Sequence, residues 1–212
     1  MKKTILIIVV IIAIASISIA QENTTDFREK LQFGLKIGLN NSNIYNTKNE
    51  EFVTYAKFGF ATGGFVAIPI GKYIGVQPEM LFSQKGFKTT GRILGSHYKF
   101  TRTTNYLDVP IFFSLKPSEF FTVLAGPQYS YLMKQKDSFV NESTSIDQEL
   151  EFENDNYRKN TFGFVVGGDL TLKHVVVSAR VGWDLIKNSG DRTSTTIRYK
   201  NVWYQATIGY KF

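Results

Sequence analysis

The final twelve residues of the chain alternate between apolar and polar side chains. One side of the stretch NVWYQATIGYKF, residues 201–212, carries only apolar side chains: Val202, Tyr204, Ala206, Ile208, Tyr210 and Phe212. This period of two is typical of a β-strand with one apolar face. Chain ends are usually polar and frayed, so the pattern predicts that this end is held by the fold.

The same alternation recurs in seven earlier segments. They span residues 31–40, 58–69, 73–85, 105–116, 120–133, 161–172 and 175–185. No residue on the apolar face of any segment is charged, although 20% of the chain is charged. The opposite faces carry glycines and these charged residues: Lys36, Glu79, Lys85, Asp108, Lys116, Asp169, Arg180, Asp184 and Lys211. Small and charged residues belong on the crowded inside of a tight barrel, so the apolar faces are predicted to face lipid.

The lengths of the connections support the same interpretation. Short links at 69–72, 116–119 and 173–174 alternate with long links at 41–57, 86–104, 134–160 and 186–200. Membrane barrels have short periplasmic turns and long external loops, and a tilted strand needs about 10 residues to cross hydrocarbon. Since every backbone group in lipid must be paired, residues 202–212 are predicted to close the sheet against 31–40.

The predicted fold class is therefore all-β, an eight-stranded antiparallel up-and-down transmembrane β-barrel. Its main rival is a soluble lipocalin-like barrel, which would place the polar faces outside. Three prolines fall inside predicted strands: Pro78, Pro110 and Pro127. Because proline cannot donate to a strand ladder, a bulge or kink is predicted at each.

The first twenty residues are typical of a secretory signal peptide. Lys2 and Lys3 precede an apolar run over 5–15, and small Ser18 and Ala20 stand at the −3 and −1 positions of a cleavage site. An uncleaved anchor is the alternative, but the run is short for a span of about 20 residues. The predicted organisation is a signal peptide at 1–20, a polar lead at 21–30 and a barrel at 31–212. The chain has no cysteine, which excludes disulfides, thiolate metal sites and a lipoprotein anchor.

Five stretches carry a family resemblance: GLKIGLNNSNI, GFVAIPIGKYIGVQPEMLFSQKG, NYLDVPIFFSLKP, FFTVLAGPQYSYLM and YQATIGYKF. Together they resemble the PorT-like outer-membrane β-barrel family of Bacteroidetes-type bacteria. The resemblance implies an eight-stranded barrel in the outer membrane, with prolines where Pro78, Pro110 and Pro127 stand. It also implies that Tyr210 and Phe212 form the signal read by the barrel-assembly machinery. One founding member is linked to export of secreted proteases, which leaves an accessory role in protein secretion or transport as an alternative function.

Six charged residues are predicted to form an ion-pair network in the lumen: Lys36, Glu79, Asp108, Asp169, Arg180 and Asp184. An eight-stranded barrel is only wide enough for side chains to fill it, and buried charges need partners. The preferred interpretation is a filled lumen, and a narrow gated pore is the alternative.

The third long link carries alternating acids: Asp147, Glu149, Glu151, Glu153 and Asp155. The preferred interpretation is a solvated hairpin whose charges are paired to the basic links on either side of it. The alternative is a divalent-cation site beside anionic lipopolysaccharide, although the glycine turn of a calcium loop is missing. No other metal site and no cofactor is expected.

The two histidines offer little catalytic chemistry. His97 lies in the second long link beside Ser96, and His174 lies in a short turn, so the two are predicted at opposite membrane faces. Without a Ser/His/acid cluster at one rim, an enzyme is not expected, and a lipid-acting enzyme is the least favoured alternative.

The expected function is a non-enzymatic structural or adhesive outer-membrane scaffold. Its expected partners are outer-membrane lipid, lipopolysaccharide, the barrel-assembly machinery and a possible periplasmic or surface protein. The net charge is +7, but no basic helix or zinc motif accompanies it, so nucleic acid is not expected.

Overall fold

The structure, a computed structural model, describes residues 27–45, 53–93, 96–141, 144–150, 159–188 and 199–212. A short 3-10 helix, Phe27–Glu29, precedes nine strands: β1 Gln32–Tyr45, β2 Thr54–Pro69, β3 Ile74–Ile93, β4 Ser96–Leu115, β5 Phe121–Asn141, β6 Thr144–Leu150, β7 Asn160–Leu172, β8 Val175–Asp184 and β9 Lys200–Lys211. Across these residues, no helix is long and apolar enough to cross a membrane. The predicted signal peptide, residues 1–20, lies outside the described residues.

Eight of the nine strands form a closed antiparallel ring. The order around the ring is β1–β2–β3–β4–β5–β7–β8–β9, and β9 pairs again with β1. Strand β6 stands outside the ring and pairs with the far end of β5. The predicted eight-stranded up-and-down barrel is therefore confirmed.

The last strand forms the seam that the sequence predicts. Gly34 pairs with Lys211 at one end of the β1–β9 ladder, and Tyr45 pairs with Lys200 at the other. Beyond the ladder, the backbone N–H of Phe212 donates to the carbonyl of Phe33 at 2.9 Å. The two rings stack with their centroids 5.5 Å apart. The aromatic end of the chain is thus fixed by backbone and ring contacts together.

The wall of the barrel is apolar outside and charged inside. Leu35, Ile37 and Leu39 are at least 60% exposed, whereas Glu79 and Arg180 are 3% and 5% exposed. The alternation of apolar and polar residues predicted this orientation, since successive side chains of a strand point to opposite faces. A soluble lipocalin-like barrel would instead have its polar faces outside and its apolar faces inside.

Three strands are much longer than the sequence analysis predicts. Strands β3 and β4 have 20 residues each and β5 has 21, and only residues 94–95 separate β3 from β4. The predicted long links at 86–104 and 134–160 are thus largely paired strand. The ladder continues because inward-facing Phe87 packs against Phe100 and Tyr199, with ring centroids 6.1 and 5.3 Å apart.

These extensions form a second structural layer at the end of the barrel that carries the long links. We call that end the upper rim and the opposite end, with the short turns, the lower rim. Residues 84–93, 96–105 and 134–141, together with β6, form an antiparallel sheet above the upper rim. We call this the upper sheet.

The predicted bulges at the prolines are wrong, because the register does not shift there, whereas a local kink at each stays a prediction. Pro78 pairs with Ile111, and the next pair beyond it, Leu81 with Asp108, keeps the same register. The pairing of Pro127 with Phe164 likewise sits in an unbroken register. A proline removes one amide donor, but the ladder needs no extra residue to continue past it. In the described strands the register shifts elsewhere, between Ala56 and Ala61 and between Asn105 and Tyr106.

Candidate functional site

Four charged side chains meet at the centre of the lumen. Lys36 Nζ lies 2.9 Å from Glu79 Oε1, and the Arg180 guanidinium binds both Glu79 oxygens, at 2.5 and 2.9 Å. Arg180 Nη2 also reaches Asp169 Oδ1 at 3.3 Å. Two cations and two carboxylates therefore balance one another. We call Lys36, Glu79, Asp169 and Arg180 the central cluster.

The central cluster crosses the whole width of the barrel. Glu79 belongs to β3 and Arg180 to β8, and these strands lie four positions apart in a ring of eight. They are therefore on opposite walls, and the fork of the guanidinium joins them directly. Gln77 adds a further link, since its amide donates to Glu79 at 2.9 Å and to Asp169 at 3.3 Å. Direct bonds between opposite walls close the lumen at this level.

The other two residues of the predicted network lie apart from the central cluster. Asp108 pairs with Lys85 at 2.9 Å, both being 1% exposed. Asp184 accepts hydrogen bonds from the backbone N–H and the side-chain amide of Asn201, at 3.0 and 2.6 Å. The six residues predicted to form one network therefore belong to three separate groups in the structure. These are the central cluster, the Lys85–Asp108 ion pair and the hydrogen-bonded carboxylate of Asp184.

An apolar layer separates the two groups of ion pairs. Its members, each at most 2% exposed, are Phe112, Leu124, Val165 and Trp203. On one side the Arg180 guanidinium lies 4.6 Å from the centre of the Phe112 ring. On the other, Lys85 Nζ lies 3.7 Å from the centre of the Trp203 ring. Cation–π contacts therefore join the apolar layer to the charges above and below it.

A brace joins strands β4 and β5 within the upper sheet and contacts Tyr199, next to the start of β9. Arg102 of β4 makes a two-pronged ion pair with Asp137 of β5, at 2.8 and 2.6 Å. Its guanidinium lies 5.9 Å from the ring centres of both Phe87 and Tyr199. Burial raises the pKa of the Tyr199 phenol above its usual value, so it stays neutral beside the guanidinium. Arg102 and Asp137 belong to the predicted long links 86–104 and 134–160, and the alternation along the chain did not predict this brace.

At the lower rim the lumen narrows to a small cavity of about 30 Å³. Lys211 donates to Gln32 Oε1 at 3.0 Å, and Lys116 donates to the carbonyl of Arg28 at 3.0 Å. A space of this size holds about two water molecules. Side chains therefore occupy much of the lower mouth as well.

The residues of the predicted assembly signal form one exposed aromatic group at the lower rim. Tyr210 and Phe212 are 49% and 58% exposed and pack edge to face, with centroids 5.2 Å apart. The His174 ring stacks on Tyr210 at 5.4 Å. Recognition of this group by the barrel-assembly machinery stays a prediction.

The remaining candidate residues lie far from the central cluster. His97, in the upper sheet, accepts a hydrogen bond from Arg92 Nε at 3.0 Å. Within the acidic series, the backbones of Asp147 and Glu149 belong to β6, opposite Ser138 and Lys136, while residues 151–158 lie outside the described residues. In the described ranges no group of three metal-ligating side chains is present.

The filled lumen predicts that the barrel does not conduct ions. Because the central cluster joins opposite walls, the purified full chain should show no steady conductance when inserted in a planar lipid bilayer. A sixteen-stranded porin, whose wider lumen holds water, is the positive control in the same bilayers. Reproducible single-channel steps from the wild-type chain would contradict a filled lumen and favour a narrow gated pore.

The family model described as "Outer membrane protein beta-barrel domain" matches residues 19–190. Curated proteins give no match to the chain. Among solved structures, the chain is similar to Ail, the attachment invasion locus protein of Yersinia pestis, with 12% identity over 85% of this chain and 98% of that chain and a TM-score of 0.48.

Two further solved structures are similar at comparable levels. Neisserial surface protein A has 10% identity over 86% of this chain and 97% of that chain, with a TM-score of 0.46. OprG from Pseudomonas aeruginosa has 14% identity over 86% of this chain and 94% of that chain, with a TM-score of 0.36.

Proposed function

The chain belongs to the outer membrane protein beta-barrel domain family, and from its place in the outer membrane we propose that it is a non-enzymatic surface scaffold. In this proposal the barrel is an anchor with a filled lumen. The upper sheet projects from the cell surface and makes structural or adhesive contacts. Long connections of membrane barrels face outwards, which supports an external position for the upper sheet.

One observation carries this proposal: strands β3 and β4 continue from the barrel into the upper sheet in a single register. Strand β3 pairs with β4 from Ile74–Leu115 at the lower rim to Ile93–Ser96 at the tip. A solvated loop would sample many conformations, whereas a paired extension braced by Arg102 and Asp137 presents a fixed surface. Binding residues are often carried on segments that a rigid scaffold positions.

Trimming the β3–β4 extension tests the proposal. Phe87 and Arg102 form a pair, so residues 88–101 can be replaced by Asn-Gly, which closes a two-residue hairpin on that pair. We expect normal membrane insertion, judged by altered gel mobility before and after heating. We expect at least a severalfold loss of cell–cell and cell–surface attachment when the protein is displayed on a non-adherent host.

Cells expressing Lys72→Gln at the lower rim are the matched control, because that substitution leaves the upper sheet unchanged. Attachment that is equal in the trimmed variant, the control and the wild type would contradict a role for the upper sheet in contact.

A second candidate is an accessory role in protein secretion or transport. The resemblance to the PorT-like family favours it, and that role would use a periplasmic partner at the lower rim. The exposed lower turns carry Lys72, Glu119 and Lys173. Loss of secreted proteases in a deletion strain, restored by the trimmed variant as fully as by the wild type, would favour the secretion role over the surface role.

A further inference from the structure

Within the upper sheet, the outward face of strands β3, β4 and β5 is basic. Above the apolar wall, strands β3, β4 and β5 point five cations away from the barrel axis: Lys88, Arg92, Lys99, Lys134 and Lys136. The neighbouring side chains on this face include the hydroxyl and amide groups of Thr90, Thr101, Thr103, Asn105 and Ser138. None of the described residues on this face of the three strands is acidic.

Strand pairing places these groups side by side. Lys88 pairs with Thr101, and Thr90 pairs with Lys99. On the next ladder Lys136 pairs with Thr103. Paired strands lie about 4.8 Å apart, so each of these three lysines has a hydroxyl within one strand spacing. Phosphate oxygens accept hydrogen bonds from cationic groups and from hydroxyl groups, so a surface on which the two alternate suits phosphate binding.

A register shift in β5 keeps two of the lysines on this face. Tyr106 pairs with Leu132 and Asn105 pairs with Lys134, so Met133 is the extra residue of a bulge. Met133 and Lys134 are both exposed, while Gln135 is buried. Without the extra residue, Lys134 and Lys136 would have pointed towards the lumen side. The bulge thus extends the basic surface across a third strand.

The position of this face relative to the apolar wall identifies its partner. The same outward faces carry Phe82, Leu107 and Tyr131 lower down, where they contact hydrocarbon. Lys134 follows Tyr131 by three residues and Arg92 follows Phe82 by ten, so the cations begin about 10 Å and end about 33 Å further along the strands. The lowest of these cations lie directly above the acyl chains, where the charged groups of the outer leaflet begin, and the others project further into the layer of polar groups.

We propose that the outward face of β3, β4 and β5 in the upper sheet binds the phosphate groups of lipopolysaccharide in the surrounding outer leaflet. Lys88, Arg92 and Lys99 form the upper part of the site, and Lys134 and Lys136 form the part nearest the membrane. Basic side chains close to an anionic membrane surface are attracted by its potential. Strand β6 limits the site on one side, since it brings Asp147 and Glu149 into register opposite Ser138 and Lys136. The inference rests on the proposed external position of the upper sheet.

Binding of purified lipopolysaccharide to the purified full chain in detergent tests this inference. The probe is fluorescent lipopolysaccharide with a phosphorylated lipid A and core, and its dephosphorylated form is the comparison. The triple variant Lys88→Gln, Arg92→Gln, Lys99→Gln removes three cations from the surface while the hairpin stays in place. We expect the triple variant to bind the phosphorylated probe at least tenfold more weakly than the wild type at 0.15 M salt. The wild type should lose affinity steeply as salt rises.

The matched control makes the same charge change at the lower rim: Lys30→Gln, Lys72→Gln, Lys173→Gln. The control variant should bind the phosphorylated probe with an affinity within twofold of that of the wild type. The dephosphorylated probe should bind the wild type weakly, with an affinity similar to that of the triple variant for the phosphorylated probe. A second variant, Lys134→Gln with Lys136→Gln, should weaken binding independently. All variants should show the heat-dependent gel shift of a folded barrel.

Equal binding of the phosphorylated probe to the triple variant and the wild type would overturn the inference. Tight binding of heparin with none of lipopolysaccharide would overturn the identity of the partner and assign the face to a soluble sulfated glycan. The triple variant keeps residues 88–101 in place, so a failure here is separate from a failure of the trimmed variant in the attachment assay.

Discussion

Replacing Glu79 by glutamine should destabilise the barrel by about 3–5 kcal/mol, because it removes the carboxylate that two buried cations share. Glu79 is bonded to Lys36 and to Arg180, and all three side chains are at most 1% exposed. Glutamine has the same shape but no charge, so the two cations would be left with Asp169 as the remaining carboxylate of the central cluster. The loss is an electrostatic effect, with little change in packing.

Urea titration of the barrel in lipid vesicles, followed by tryptophan fluorescence, measures this change in unfolding free energy. Glu119→Gln is the matched control, since Glu119 is exposed in a lower turn and should change stability by less than about 0.5 kcal/mol. Adding Lys36→Met to Glu79→Gln removes one uncompensated cation and should recover part of the loss. A cost below about 1 kcal/mol for Glu79→Gln would show that the central cluster does not hold the two walls together.

Replacing Trp203 by alanine should cost about 3–5 kcal/mol, the range for truncating a large aromatic residue in a packed core. Trp203 is 1% exposed and fills the apolar layer between the two groups of ion pairs. Its removal opens a cavity and also takes away the ring face that Lys85 Nζ approaches at 3.7 Å. Both losses act on the same level of the lumen.

The chain contains a natural control, because its other tryptophan is on the outside of the barrel. Trp183 is partly exposed on the outer wall and packs against Phe164 at 5.8 Å. Trp183→Ala should therefore cost distinctly less than Trp203→Ala, when both are measured by circular dichroism in the same urea titration. Equal costs would indicate that the lumen reorganises around the missing indole.

The sequence predicted the barrel well because each strand offered only two possible orientations. Once Leu35, Ile37 and Leu39 were placed against lipid, Lys36 had to face the lumen, and the same choice settled every other strand. The alternating link lengths then fixed the direction of each strand. The seam followed from the need to pair every backbone group in lipid.

The ion-pair partner of each charged side chain in the lumen could not be predicted in the same way. Alternation shows that Asp108 and Glu79 face inwards, but not that Asp108 pairs with the neighbouring strand and Glu79 with the opposite wall. Those pairings depend on the tilt of the strands and on their stagger around the ring. Trp203, an aromatic residue on the polar face of the last strand, was a visible signal of the apolar layer that the sequence analysis left unused.

The upper sheet was not predicted from the sequence, for a different reason. Its inward aromatic residues, Phe87 and Phe100, are separated by residues that are mostly polar or glycine, so the segment is typical of a solvated loop. The extra residue Met133 also changes which positions of β5 face inwards, which breaks the alternation at the point where the strand continues.

The bond between Glu79 and Arg180 has a consequence for how the chain assembles. The two residues are 101 positions apart and belong to opposite walls, so they cannot meet until most of the ring exists. Until then each charge must keep its hydration shell, and the interior of the nascent cylinder must be wet. Assembly therefore has a fixed order, in which closure of the sheet comes first and expulsion of internal water comes last. The final drying step, and not strand pairing, is where a lost carboxylate or a lost cation would stall the pathway.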